Sequence, residues 1–62
     1  MNMVINTYFY DDKKAEIVND GDGYYVVCYA DNKIVKTINV KEHSLYYAKD
    51  TAENWVEGMI ND

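Results

Sequence analysis

A chain of 62 residues with a formal net charge of −5 supplies one domain, expected to span 1–62, and is too short for a two-domain active-site cleft. Its single cysteine, Cys28, excludes an intramolecular disulfide, and Cys28, His43 and scattered carboxylates make no structural zinc set, so neither metal nor cofactor is expected. Hydrophobic residues at 48% and charged residues at 27% are a globular rather than a disordered composition, and stability has to come from a compact core helped by self-association.

Met3 to Tyr10 alternates imperfectly, with Met3, Ile5, Thr7 and Phe9 on one side and Val4, Asn6, Tyr8 and Tyr10 on the other, which predicts a first strand. Asp11-Asp12-Lys13-Lys14 reads as a polar turn and Ala15 to Asn19 as a short second strand. Asp20-Gly21-Asp22-Gly23 follows as a strong turn signal. Tyr24 to Ala30 and Lys33 to Val40 are rich in aromatic and β-branched residues and suit a pleated sheet.

The connection between those two strands decides which side chains share a face. A two-residue loop at Asp31-Asn32 places Tyr25, Val27 and Tyr29 beside Ile34, Ile38 and Val40. A three-residue loop with Asn32 in the left-handed region instead places Tyr24, Val26 and Cys28 beside them. Asn is weaker than Gly at the second position of a two-residue turn, which favours the longer loop, and an error of one residue would swap the faces.

From Ser44 onward the period becomes helical. With Ser44 as N-cap, Leu45, Ala48, Ala52, Trp55, Val56, Met59 and Ile60 fall in one apolar sector, and Asp50, Glu53 and Glu57 fall on one flank beside Tyr46. Ala48 and Ala52 permit close approach to a sheet, with Trp55 as the large anchor. The predicted fold is α+β: an antiparallel meander of three to four strands with one C-terminal helix packed on one face.

Gly23-Tyr24-Tyr25-Val26, the hairpin at Asp31-Asn32-Lys33, and Ile38-Asn39-Val40 leading into a Ser44-capped helix with Ala48 resemble small uncharacterised β-β-β-α proteins of phages and bacteria. Over Gly23 to Trp55 the outline is also similar to the N-terminal arm modules of phage integrases. That resemblance implies a DNA-contacting sheet using Lys33, Lys36 and the neighbouring tyrosines. Asn, Lys, Ile, Tyr, Phe and Met fill 29 of the 62 positions, as AT-rich codon usage in a bacterium or phage would produce.

Charge argues against nucleic acid. All six basic residues are lysines, there is no arginine for bidentate grip on phosphate or guanine, and carboxylates number eleven. The apolar runs are too short for a membrane span and no signal-peptide pattern opens the chain, so a cytoplasmic protein with no membrane partner is expected.

Candidate catalytic features are sparse. His43 precedes the helix with no nucleophile or carboxylate placed to work with it, and Cys28 lies among apolar residues, as a core thiol does. Counted from Asp20, a calcium loop would need glycine at position six and a bidentate glutamate at twelve, where this chain has Tyr25 and Asp31. No catalytic residue is therefore assigned.

The tyrosines carry more information. A single helix covers one sheet face, so the other should expose Tyr25, Val27, Tyr29 and Val35, the kind of patch that marks an interface. The function expected is a small acidic, non-enzymatic protein-interaction module, a homodimer through that face, presenting Asp50, Glu53 and Glu57 outward. Its expected role is that of a phage or bacterial adaptor or inhibitor meeting a basic protein surface. The alternative is a nucleic-acid-binding module of the arm type.

Overall fold

Three tight turns set the sheet. In the computed structural model, which describes residues 2–58, β1 (Met3–Tyr10), β2 (Lys13–Asn19), β3 (Tyr24–Ala30) and β4 (Lys33–Asn39) precede α1 (Leu45–Val56). The strands pair antiparallel in the order β1-β2-β3-β4. The result is a four-stranded antiparallel meander packed against one C-terminal helix. The N-terminal segment, whose pairing the sequence leaves open, joins the sheet within its own chain along β2.

Each turn has a local cause. Asp11 lies at φ 59, in the left-handed region that Asp tolerates. Asp31 and Asn32 are both left-handed, at φ 53 and φ 67, the geometry of a two-residue mirror-image turn whose twist matches the strands. The Asp31 amide donates to the Asp12 carbonyl at 3.0 Å, tying these two turns together at one end of the sheet. At the other end, the Asn19 and Asp20 carboxamide and carboxylate oxygens accept from the Gly21 and Asp22 amides at 2.7 and 2.9 Å, the self-capping that makes Asx residues turn formers. Gly23 is required by close approach: a Cβ there would lie 2.9 Å from Lys41 Cβ and 3.0 Å from the Lys41 carbonyl oxygen.

The expected three-residue loop between β3 and β4 is replaced by a two-residue turn followed by a β-bulge. Ala30 pairs with Lys33 and Tyr29 with Ile34, but Cys28 pairs with Lys36, so Val35 is the extra residue. The bulge restores the register that the longer loop would have given, and Val26 faces Ile38 as expected. The exception is Ile34, which lies opposite Tyr29 rather than on the Val26–Cys28 face. A second bulge at Ile5 corrects the expected alternation of β1: Val4 pairs with Val18 and Asn6 with Ile17, so Val4, Thr7 and Phe9 share one face and Met3, Asn6, Tyr8 and Tyr10 the other.

The core joins Ala15 and Ile17 of β2, Val26 and Cys28 of β3, and Val40 to Ala48, Ala52, Trp55 and Val56 of the helix. Tyr8, Tyr24, Ile38 and Leu45 pack around it. Ala15, Cys28, Ala48 and Ala52 are each fully buried, so both the sheet and the helix contribute small side chains to this close-packed cluster. Ser44 Oγ accepts from the Tyr47 amide at 3.3 Å as the N-cap. At the other end the helix stops at Gly58, left-handed at φ 79, whose amide donates to the Trp55 carbonyl. The expected core positions Met59 and Ile60 lie outside the described residues. The helix contacts β1, β2 and β3.

Candidate functional site

With one helix on one side, the sheet has an outer face that no other element covers among the described residues. Register places on it Val4, Thr7 and Phe9 of β1, Lys14, Glu16 and Val18 of β2, Tyr25, Val27 and Tyr29 of β3, and Ile34, Thr37 and Asn39 of β4. Tyr25, Val27 and Tyr29 therefore occupy the face expected of them, but half-buried rather than exposed, because β2 and β4 flank them on both sides. Val35 is 56% exposed at the bulge.

The centre of this face is held by a small polar network absent from the sequence-based expectation. Tyr29 Oη donates to Glu16 Oε1 at 3.1 Å, and Lys14 Nζ lies 3.9 Å from the Glu16 carboxylate and 4.2 Å from the Tyr29 ring centroid. Burial, reinforced by the hydrogen bond to Glu16 and its negative charge, pushes the Tyr29 phenol above its ordinary pKa. The available signal was alternation: if Ala15 and Ile17 face the helix, Lys14 and Glu16 between and beside them must face away.

Beside the network lies an apolar stretch. Val18 is buried to 5% exposure between Val4 and Tyr25, and Asn2 Nδ2 donates to Tyr25 Oη at 3.1 Å. The rim carries Phe9 at 73% exposure and Ile34 at 62%, two large apolar side chains that the expected site did not include. The acidic turns Asp11-Asp12 and Asp31 border this rim and share a shallow depression with Phe9, Lys14 and Tyr29.

Asp50, Glu53 and Glu57 are all exposed, on the helix and thus on the opposite side of the sheet from the tyrosines. Asp50 accepts from Asn54 Nδ2 at 3.3 Å. The structure does not bring the two halves of the expected site together. Lys33 and Lys36, the lysines of the arm-type alternative, register with Ala30 and Cys28 on the helix side. Among the described residues Lys14 is the one lysine on the outer face, and it is engaged with Glu16.

The remaining candidates have structural explanations. Cys28 is fully buried and burial pushes its thiol up to about 11, only partly offset by Lys36, the opposite of an activated thiolate. His43 is exposed and stacks on Tyr47 with ring centroids 3.8 Å apart. In the glycine turn, Lys41 Nζ sits 2.8 Å from Asp20 and 3.8 Å from Asp22, an ammonium where the calcium reading wanted a cation. The Asp20 carboxyl is lowered chiefly by that Lys41 hydrogen bond. Among the described residues no group of three His, Cys, Asp or Glu could hold a metal ion, and no helix is long and apolar enough to cross a membrane. Comparison with family models, curated proteins and solved structures finds no match.

Proposed function

We propose that this chain is a small acidic, non-enzymatic protein-interaction module that works as a homodimer and engages its partner through the outer sheet face. The observation that carries this reading is the composition of that face: half-buried Tyr25, Val27 and Tyr29 on the central strand β3 and exposed Phe9 and Ile34 on the two edge strands, with exposed Val35 at the β4 bulge. Aromatic and β-branched groups around a partly desolvated centre form the arrangement from which binding hot spots are made. The acidic turns at the Phe9 end, together with the net charge of −5, suit a partner patch bordered by lysine or arginine, where opposite charge speeds encounter and apolar contact holds the complex. A phage or bacterial adaptor or inhibitor is the role this reading fits.

Asp50, Glu53 and Glu57 on the far side then contribute to the long-range field rather than to the contact. The test is affinity capture from a bacterial lysate with three baits: the parent chain, Val27→Lys at the middle of the face, and Tyr46→Lys on the helix, where Tyr46 is 82% exposed. A protein retained by the parent and by Tyr46→Lys but lost by Val27→Lys supports the face. Equal retention by all three baits overturns it.

A further inference from the structure

The sheet has two open edges, and they are built differently. Both carry a bulge, at Ile5 and at Val35, but edge strand β4 also carries Lys33 and Lys36, charges that discourage pairing with another strand. Edge strand β1 runs eight residues, MVINTYFY, with no charged residue and no proline. It also holds five of the nine large hydrophobic residues that are exposed among the described residues: Met3, Val4, Ile5, Phe9 and Tyr10. An uncharged, uncovered edge with unpaired backbone amides and carbonyls is a template for an added strand.

We propose that β1 is the dimerisation element, pairing antiparallel with β1 of a second copy about a twofold axis at Thr7 to form a continuous eight-stranded sheet. This rests on the reading above that the chain self-associates. Two features select a second copy over a foreign strand. The first is self-complementarity. Counting the bulged Val4 and Ile5 as one position, β1 has the same face pattern read in either direction from Thr7. Asn6 then meets Tyr8 of the partner subunit, Phe9 meets the Val4–Ile5 bulge, and Tyr10 meets Met3. Every pair lies on one face, as antiparallel pairing requires.

The second feature is charge. Two chains of −5 repel, and of the two edge strands β1 is the one without a charged side chain. Antiparallel pairing also sends the two Asp11-Asp12 turns to opposite ends of the interface. Stacking two outer faces would instead press Lys14 and Glu16 of one copy against those of the other, desolvating both pairs. Edge pairing leaves both outer faces free and side by side, so the surface offered to a partner doubles in length.

The experiment is oxidative crosslinking of full-length Thr7→Cys and Thr37→Cys, with sedimentation of the parent and of Thr7→Lys. Thr7 and Thr37 are both exposed on the outer face, one on each edge strand, and buried Cys28 is out of reach. The parent is expected to sediment as two chains and Thr7→Cys to crosslink nearly completely. Thr37→Cys should stay uncrosslinked, and Thr7→Lys should sediment as one chain with an unchanged circular dichroism spectrum. A monomeric parent overturns both this inference and self-association, while leaving the face reading to the capture experiment. A dimeric parent in which Thr37→Cys crosslinks as well as or better than Thr7→Cys overturns the β1 edge alone.

Discussion

On the helix side of the sheet Ala15, Cys28, Ala48 and Ala52 have no exposed surface, whereas on the outer face the larger Tyr25, Val27 and Tyr29 remain half-buried behind their strand neighbours. The inner side achieves complete burial for small and large groups alike, Ile17 and Val26 included, because the helix packs over it. The outer side keeps large groups partly wet and holds one tyrosine with a lysine and a glutamate. Complete burial is thus concentrated on one face, and large, partly exposed groups are left on the other, the face proposed above to meet a partner.

This division is open to mutation. A domain of this size has roughly 3 to 9 kcal/mol of stability, and Ile17→Ala, which removes a fully buried core side chain, should cost about 3 kcal/mol in urea unfolding. Ala52→Leu should cost about 2 kcal/mol by overpacking a helix position that is fully buried in the core. Ser44→Ala should cost about 1 kcal/mol through loss of the N-cap bond to Tyr47. Val27→Lys should change stability least of the four, by roughly 0.5 kcal/mol, the range of surface substitutions. An outer-face effect as large as that of Ile17→Ala would mean that both faces stabilise the monomer and would remove the division.

The smallest effect is confined to the glycine turn. Lys41 holds the Asp20 carboxyl below its ordinary pKa, so the stability from this pair is fully present above the usual carboxylate value of about 3.9 and is lost as pH falls through the lowered folded value. In Lys41→Met the Asp20 carboxyl should titrate closer to its ordinary value by NMR, and the acid limb of the stability profile should be shallower.

The helix and its cap were legible because a 3.6-residue apolar stripe beginning after Ser44 has one structural solution. The face of Tyr25, Val27 and Tyr29 was legible for a subtler reason. The expected loop is one residue longer than the turn that forms, yet Val35 bulges and restores the register, because Val26, Ile38 and Val40 all belong on the helix side. Bulges are set by tertiary demand and leave no composition signal in Val35 or Ile5, which is why alternation alone places Ile34 and Met3 on the opposite sides from those they occupy. The Lys14–Glu16–Tyr29 network depends on the pairing of β2 with β3, which no local pattern states.

The position of Trp55 makes the molecule its own reporter. It is the single tryptophan, 6% exposed, inside the helix–sheet core with Lys13 Nζ 5.5 Å from its ring centroid. Its emission should therefore follow helix undocking and stay unchanged when a ligand settles on the far side of the sheet. Exciting Trp55 alone at the red edge of its absorption would distinguish, in an unmodified sample, a ligand that leaves the helix docked from one that loosens the fold.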